Sequence, residues 1–178
     1  MNLTAILATD STGAIGLGGG LPWPRLPRDL RRFREATMGR VCLVGRRTYD
    51  TLPALKGRRL VVLSRGDARP ILTCAPASEG HGAWHAMTYV KPSIDAALSH
   101  ATNEPEVMVI GGAEVYRLAW PHLTRILLTV VDGAHPADTY LDPPGVLTEG
   151  FTCLTSQRHD PDADNPLGLV FSEWVRRV

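Results

Sequence analysis

Apolar residues along this chain gather into short runs punctuated by turn-forming residues. Leu3–Ala8, Val41–Val44, Leu60–Ser64, Val107–Ile110 and Ile126–Val131 are nearly unbroken, as strands buried on both faces are. Leu169–Val175 alternates instead, with Leu169, Phe171 and Val175 on one parity, which predicts a strand with one wet face. Between the runs the pattern turns helical. Pro27 opens a helix through Met38, stopped by Gly39. Others span Thr48–Leu52, Pro92–Ala101 and Ala113–Trp120, the last stopped by Pro121. Strand and helix alternate over most of the chain, and two strands with no helix between them close it. The pattern therefore predicts one α/β domain over residues 1–178, with a central, mostly parallel twisted sheet, an antiparallel C-terminal edge strand and helices on both faces. Asp67–Ala86 is a long, turn-rich excursion to which the pattern assigns no element.

Composition narrows the function classes. The 19 basic residues against 18 acidic ones leave +1, too little for a polyanion binder that works through bulk charge. The apolar runs are strand-sized, and Met1 leads straight into apolar sequence without a cationic leader, so neither a membrane span nor secretion is expected. Cys42, Cys74 and Cys153 are odd in number and far apart, and the histidines are scattered, with His81 and His85 the nearest pair. Neither set has zinc spacing, so no metal site is expected and a reducing cytoplasm is the natural compartment. Cys42, inside Val41–Val44, should behave as a small apolar residue.

Two places share one local design. Val41–Val44 runs into Gly45-Arg46-Arg47-Thr48 and a helix; Val107–Ile110 runs into Gly111-Gly112 and a helix. A buried strand that ends in glycine before a helix start points free N–H groups and the positive dipole end at one spot. Ordinary strand-to-helix turns would explain either alone. Together, with Ser64-Arg65 at a third strand end, they suit a dinucleotide pyrophosphate, and the arginines suit a phosphorylated ribose. Gly16–Leu21 fails the G-x-G-x-x-G pattern at its last position, so a standard Rossmann fingerprint is absent.

A second constellation is Leu21-Pro22-Trp23-Pro24-Arg25-Leu26-Pro27-Arg28-Asp29-Leu30-Arg31-Arg32-Phe33. Pro27 at the first helical position puts Asp29 in the first turn, with Phe33 one turn further on the same face. Asp29 could be a surface acid favoured by the helix dipole. It could instead be the acid of a pocket walled by Trp23, Leu30 and Phe33, where burial raises its pKa toward the range useful for proton transfer. The arginines at 25, 28, 31, 32 and 34 lie around the helix and predict a solvated surface, not a nucleic-acid stripe.

With these residues in place the chain resembles the dihydrofolate reductases. The resemblance runs through Ile15-Gly16, Leu21-Pro22-Trp23, Leu26–Leu30 with Phe33, Val44–Tyr49, Leu55–Arg58, Val62–Arg65, Val109–Tyr116, Leu128–Asp132 and Ala137-Asp138-Thr139, in the family's order. It implies hydride transfer from NADPH to C6 of dihydrofolate, with protonation at N5. It also implies that Asp29 is the pocket carboxylate, that Trp23 holds a water and that Thr129 bonds to the acid. Arg58 would pair with the α-carboxylate of the folate glutamate. By the same resemblance Thr4, Ile6, Leu30, Phe33, Arg34, Leu52, Ile110 and Tyr116 border the substrate. The NADPH seat would draw on Ala8, Ile15, Gly16, Gly19, Leu21, Gly45, Arg46, Arg47, Thr48, Leu63, Ser64, Arg65, Ile110, Gly111, Gly112, Ala113, Glu114, Val115 and Tyr116. Gly13–Leu21 would be the mobile closing loop, and Gly111-Gly112 the family's usually cis bond.

The implied partners are dihydrofolate and antifolate inhibitors, with no nucleic acid or membrane, for a monomer. Thr4 stands where an aliphatic residue is usual, Glu114 puts an acid beside the phosphate seat, and Gly18–Gly20 should loosen the closing loop. The related pyrimidine reductase of riboflavin synthesis would need other contacts at Asp29 and Arg58. An inactive folate or NADPH binder would keep the motifs without turnover.

Overall fold

The computed structural model describes residues 1–66, 71–72 and 87–177. In chain order the elements are β1 (Asn2–Asp10), β2 (Ala14–Gly16), α1 (Pro27–Thr37), β3 (Val41–Gly45), α2 (Arg46–Thr51), β4 (Arg59–Leu63), β5 (Ile71–Leu72), β6 (Met87–Lys91), α3 (Ile94–His100), β7 (Glu106–Val109), α4 (Ala113–Ala119), β8 (Arg125–Val131), β9 (Thr139–Tyr140), α5 (Pro144–Leu147), β10 (Phe151–His159) and β11 (Leu169–Arg176). Every strand and helix expected from the hydrophobic pattern is present, with ends shifted by one or two residues. Of the Asp67–Ala86 excursion only β5 is described; Cys74, His81 and His85 lie outside the described residues.

One expectation needs correcting. Ile126–Val131 and Leu169–Val175 do not follow one another directly, because β9, α5 and β10 stand between them. β10 carries no apolar signal, since residues 152–158 are all exposed. A strand bared on both faces is held by backbone pairing, which leaves no periodicity to read.

The described chain forms two compact units, Met1–Leu3 with Thr37–Pro121, and Thr4–Ala36 with His122–Val178. In the first, strands lie in the order β7-β3-β4-β6-β5, all parallel except β5. Val41–Val44 and Leu60–Leu63 are buried throughout, which is why they read as continuous apolar runs. Cys42 is fully buried, and its thiol is pushed up to about 12 by desolvation, against the pull of Arg58 and Arg40. It is a packing residue.

In the second unit β8 pairs in parallel with β1 and antiparallel with β11, which in turn pairs with β10. The register sets Thr129 of β8 beside Ala8 and Phe171. Trp23, Leu26, Val131 and Leu169 pack as a buried cluster, with Ala8, Leu167 and Phe171 against it.

Asp10, fully buried at the end of β1, ties this unit's loops together. Its carboxylate accepts from the Thr12 N–H (2.8 Å), the Thr12 hydroxyl (2.7 Å), the Ala14 N–H (3.1 Å) and the His135 N–H (2.8 Å). Burial raises its pKa, but these donors, the Thr12 hydroxyl foremost, outweigh it and hold the group at about 2. Because the folded value lies below the ordinary 3.8, this stabilisation is present above pH 3.8 and fades as pH falls through about 2. Asp10→Ala removes the shared acceptor of four donors, the Ala14 N–H among them buried, and should cost about 2 kcal/mol or more in urea unfolding at pH 7. The gap between variant and parent should narrow as the acid limb is approached.

Candidate active site

Helix α1 carries the carboxylate, and its start is fixed from outside the helix. Pro27 occupies the first helical position, as the sequence predicts. The Arg28 N–H, one of the helix's orphan donors, bonds to Asn165 Oδ1 at 2.9 Å. Asn165 is itself buried and held by Asp162, whose Oδ1 accepts its N–H (2.7 Å) and its amide (2.8 Å). Asp162 also receives the Arg28 guanidinium at 2.6 Å. The loop between β10 and β11 thus clamps the turn that presents Asp29.

Asp29 is half-buried, and desolvation raises its pKa above the ordinary carboxylate value although the Thr129 hydroxyl and the Arg32 charge pull it down. Thr129 is buried. Arg32, one turn beyond Asp29, turns inward: Nη1 donates to Leu128 O and to Thr129 Oγ1, both at 2.9 Å, and Nη2 donates to Ser172 O at 2.9 Å. Its guanidinium lies 4.5 Å from the centroid of the Phe171 ring. The expectation of a solvated arginine surface therefore fails at Arg32, and Arg28 is tied down as well. Phe33 is half-buried, whereas Leu30 and Arg34 are exposed.

Trp23 is buried beside this helix start, with its indole Nε1 lacking a hydrogen-bond partner among the described residues. His135 meets the Trp23 ring edge-on, centroids 5.7 Å apart. The preceding loop contains a hydrogen-bonded turn. Leu17 and Gly20 exchange backbone hydrogen bonds (3.0 and 2.9 Å) around Gly18 and Gly19, whose φ values of 58° and 84° are those of a tight hairpin turn. Gly18 N–H donates to Asp138 Oδ2 at 2.7 Å, and Asp138 N–H to Gly16 O at 3.0 Å. Gly18 and Gly19 thus serve a turn that needs positive φ, and Gly20 closes it through its backbone bonds to Leu17.

The first unit holds the other half of the expected residues. Gly45 N–H donates to Gly111 O at 2.8 Å, and Gly45 pairs in register with Leu63, so the ends of β7, β3 and β4 lie side by side. This brings Gly111-Gly112, Gly45–Thr48 and Ser64-Arg65 to one edge. Gly45 and Gly112 precede α2 and α4 without a capping side chain, leaving first-turn N–H groups open. Both glycines are closely approached: a Cβ on Gly112 would lie 2.7 Å from Thr48 Oγ1, and one on Gly45 2.9 Å from Val115 Cγ2, so either would displace its neighbour. The Gly111–Gly112 bond is cis. Arg46, Arg47 and Arg65 are exposed, as is Glu114, which points no buried charge at the seat. Open amides, hydroxyls and arginines at a glycine-lined edge fit a phosphate-bearing dinucleotide. Arg58, Leu63, Ile110, Val115 and Tyr116 are buried, and Leu52 is half-buried. In the second unit Thr4 and Ile6 are buried, Ala8, Ile15 and Gly16 half-buried, and Leu21 and Gly19 exposed.

Residues 2–176 match the family described as Dihydrofolate reductase. The chain belongs to the dihydrofolate reductase family. It is 42% identical over 158 residues to the dihydrofolate reductase of Mycobacterium leprae, covering 85% of this chain and 86% of that protein. It is 34% identical over 178 residues to the type 3 enzyme of Salmonella typhimurium, covering 99% of each. Among solved structures, dihydrofolate reductase from Enterococcus faecalis complexed with NADP(H) and RAB-propyl superimposes with a TM-score of 0.79 at 24% identity, covering 99% of this chain and 97% of that one.

As a member of the dihydrofolate reductase family, the chain reduces dihydrofolate to tetrahydrofolate with NADPH. Three residues that hold the reductase site together escape the motifs. Arg32 had a signal, its i+3 spacing from Asp29. Asn165 had none, since the helix start it holds is remote in sequence, and the short-range bonds of Asp10 to Thr12 and Ala14 form none of the motifs read above. The loop anchor is testable: Asp138→Ala should raise amide exchange at Gly18 by about tenfold or more while barely moving the melting temperature. Unchanged protection would mean the hairpin turn alone holds the loop.

Proposed function

We propose that Asp29 is the proton-handling carboxylate of the reductase and that Thr129, Trp23 and Arg58 serve it in the roles the resemblance implies. The observation that carries this reading is a half-buried carboxyl with a raised pKa, next to a buried hydroxyl, on a helix whose start is clamped by a remote loop. A group protonated nearer neutrality than an ordinary aspartate can promote protonation of N5. The unpartnered Trp23 Nε1 suits the holding of a water near that acid.

NADPH, when bound, supplies the hydride that passes to C6. Gly45–Thr48, Ser64-Arg65 and Gly111–Ala113 would hold its phosphates, and Arg46, Arg47 and Arg65 favour the 2′-phosphorylated cofactor. Arg58, as an arginine, suits bidentate pairing with the glutamate α-carboxylate. The chain acts as a single-domain cytoplasmic monomer with no nucleic-acid partner; the near-neutral net charge supports the last point. No helix among the described residues is long and apolar enough to cross a membrane.

Loss of near-ultraviolet absorbance with NADPH and dihydrofolate together should exceed that with NADH, and an antifolate should stop it. Asp29→Asn should lower turnover at pH 7 by about a hundredfold or more, with NADPH affinity altered by less than about threefold. Equal losses in both would make Asp29 structural. Arg58→Leu should raise the Michaelis constant for dihydrofolate about tenfold or more at a similar kcat.

A further inference from the structure

Within the second unit, the inward turn of Arg32 leaves a chemical question that the motifs do not raise. An arginine at the middle of a surface helix ordinarily extends its guanidinium to water. This one has its fork occupied by Leu128 O, Thr129 Oγ1 and Ser172 O, each at 2.9 Å, while its plane meets Phe171. The supports are themselves held. Ser172 Oγ accepts from Trp174 Nε1 at 2.8 Å, and His159 leans on the other ring neighbour, Phe171, at 4.7 Å between centroids.

A threonine hydroxyl has one proton to donate and lone pairs to accept with. Arg32 has no acceptor, so in the Arg32–Thr129 bond the hydroxyl oxygen must accept. Its own proton is then left for the neighbouring Asp29 carboxylate. We propose that Arg32 is a positioning residue for the reduction: it fixes the direction of an Arg32-to-Thr129-to-Asp29 hydrogen-bond chain and so sets the pH range over which Asp29 can hand on a proton. This rests on the reading of Asp29 given above, and goes beyond it by assigning a residue outside the family motifs.

The surrounding charges are accounted for from each element. Asp29 faces Arg32 on α1 and the Thr129 hydroxyl on β8. Arg32 in turn faces Glu173 on β11 and Arg125 on β8, which are paired with each other at 2.9 Å. On its outer side a cleft of about 500 Å³ also presents Arg28, Arg31 and Glu35 of α1 and His159 of β10. Among the described residues Arg32 is the cation that acts on the acid. It favours the ionised carboxylate, against the burial that favours the neutral one. Activity that needs the protonated acid is lost as pH rises through its pKa. Removing Arg32 must therefore move that loss to higher pH.

The test uses the full chain with Arg32→Met and Arg32→Lys. The readouts are kcat/KM against pH with NADPH and dihydrofolate, and direct carbon-13 titration of the Asp29 carboxyl in the free protein. For Arg32→Met, the ratio of kcat/KM at pH 9 to that at pH 7 should rise about threefold or more over the parent, with the carboxyl titrating higher. Arg32→Lys keeps a charge but cannot reach a hydroxyl and two carbonyls at once, so its ratio should fall between parent and Met variant. Both variants losing activity equally at all pH values, with the Asp29 titration unmoved, would overturn the proposal and leave Arg32 a packing residue. If Arg32→Met does not fold, the lysine variant decides alone: a ratio and titration equal to the parent's would sink the idea. Asp29→Asn separates the two levels. If it keeps the alkaline loss, Asp29 is not the acid, whereas the carbon-13 titration still reports whether Arg32 acts on it.

Discussion

A carboxylate set into an apolar wall is tolerated only when its charge is answered by groups that cannot drift away. Much of the second unit can be read as the means of meeting that condition at Asp29. The acid sits in the first turn of α1, where burial favours its neutral form, and Thr129 and Arg32 favour the charged one. Neither partner is free to relax. Thr129 is fixed by its register between Ala8 and Phe171, and Arg32 by carbonyls from two strands and an aromatic face. The balance between burial and hydrogen bonding is thus built from sheet pairing, which is stiff, and not from surface side chains, which are not.

The same logic extends outward. The helix that carries the acid is anchored by Asn165 and Asp162 from a loop more than a hundred residues away, and the loop before Trp23 is anchored by Asp138 and Asp10. Each of these is a short side chain that accepts backbone N–H groups. That arrangement satisfies loop amides which no sheet or helix would pair, and it orders the irregular segments on which the chemistry depends. In the first unit the equivalent economy is glycine: at Gly45 and Gly112 neighbouring side chains approach so closely that a Cβ would force them to shift.

Local sequence alone determined the buried strands, the main helices and the glycine-rich strand ends, because each is written in contiguous residues through periodicity, capping and turn chemistry. It also placed Asp29 and Trp23 as candidates, and the family resemblance added Thr129. What it could not contain was β10, whose exposed residues have no hydrophobic code, or the clamp by Asn165, whose partner lies far along the chain. Nor could composition tell that Gly18 and Gly19 serve a turn that demands positive φ. Only the tertiary structure decided that Arg32 points inward, because that choice depends on which carbonyls of β8 and β11 the pairing register delivers beneath one turn of α1.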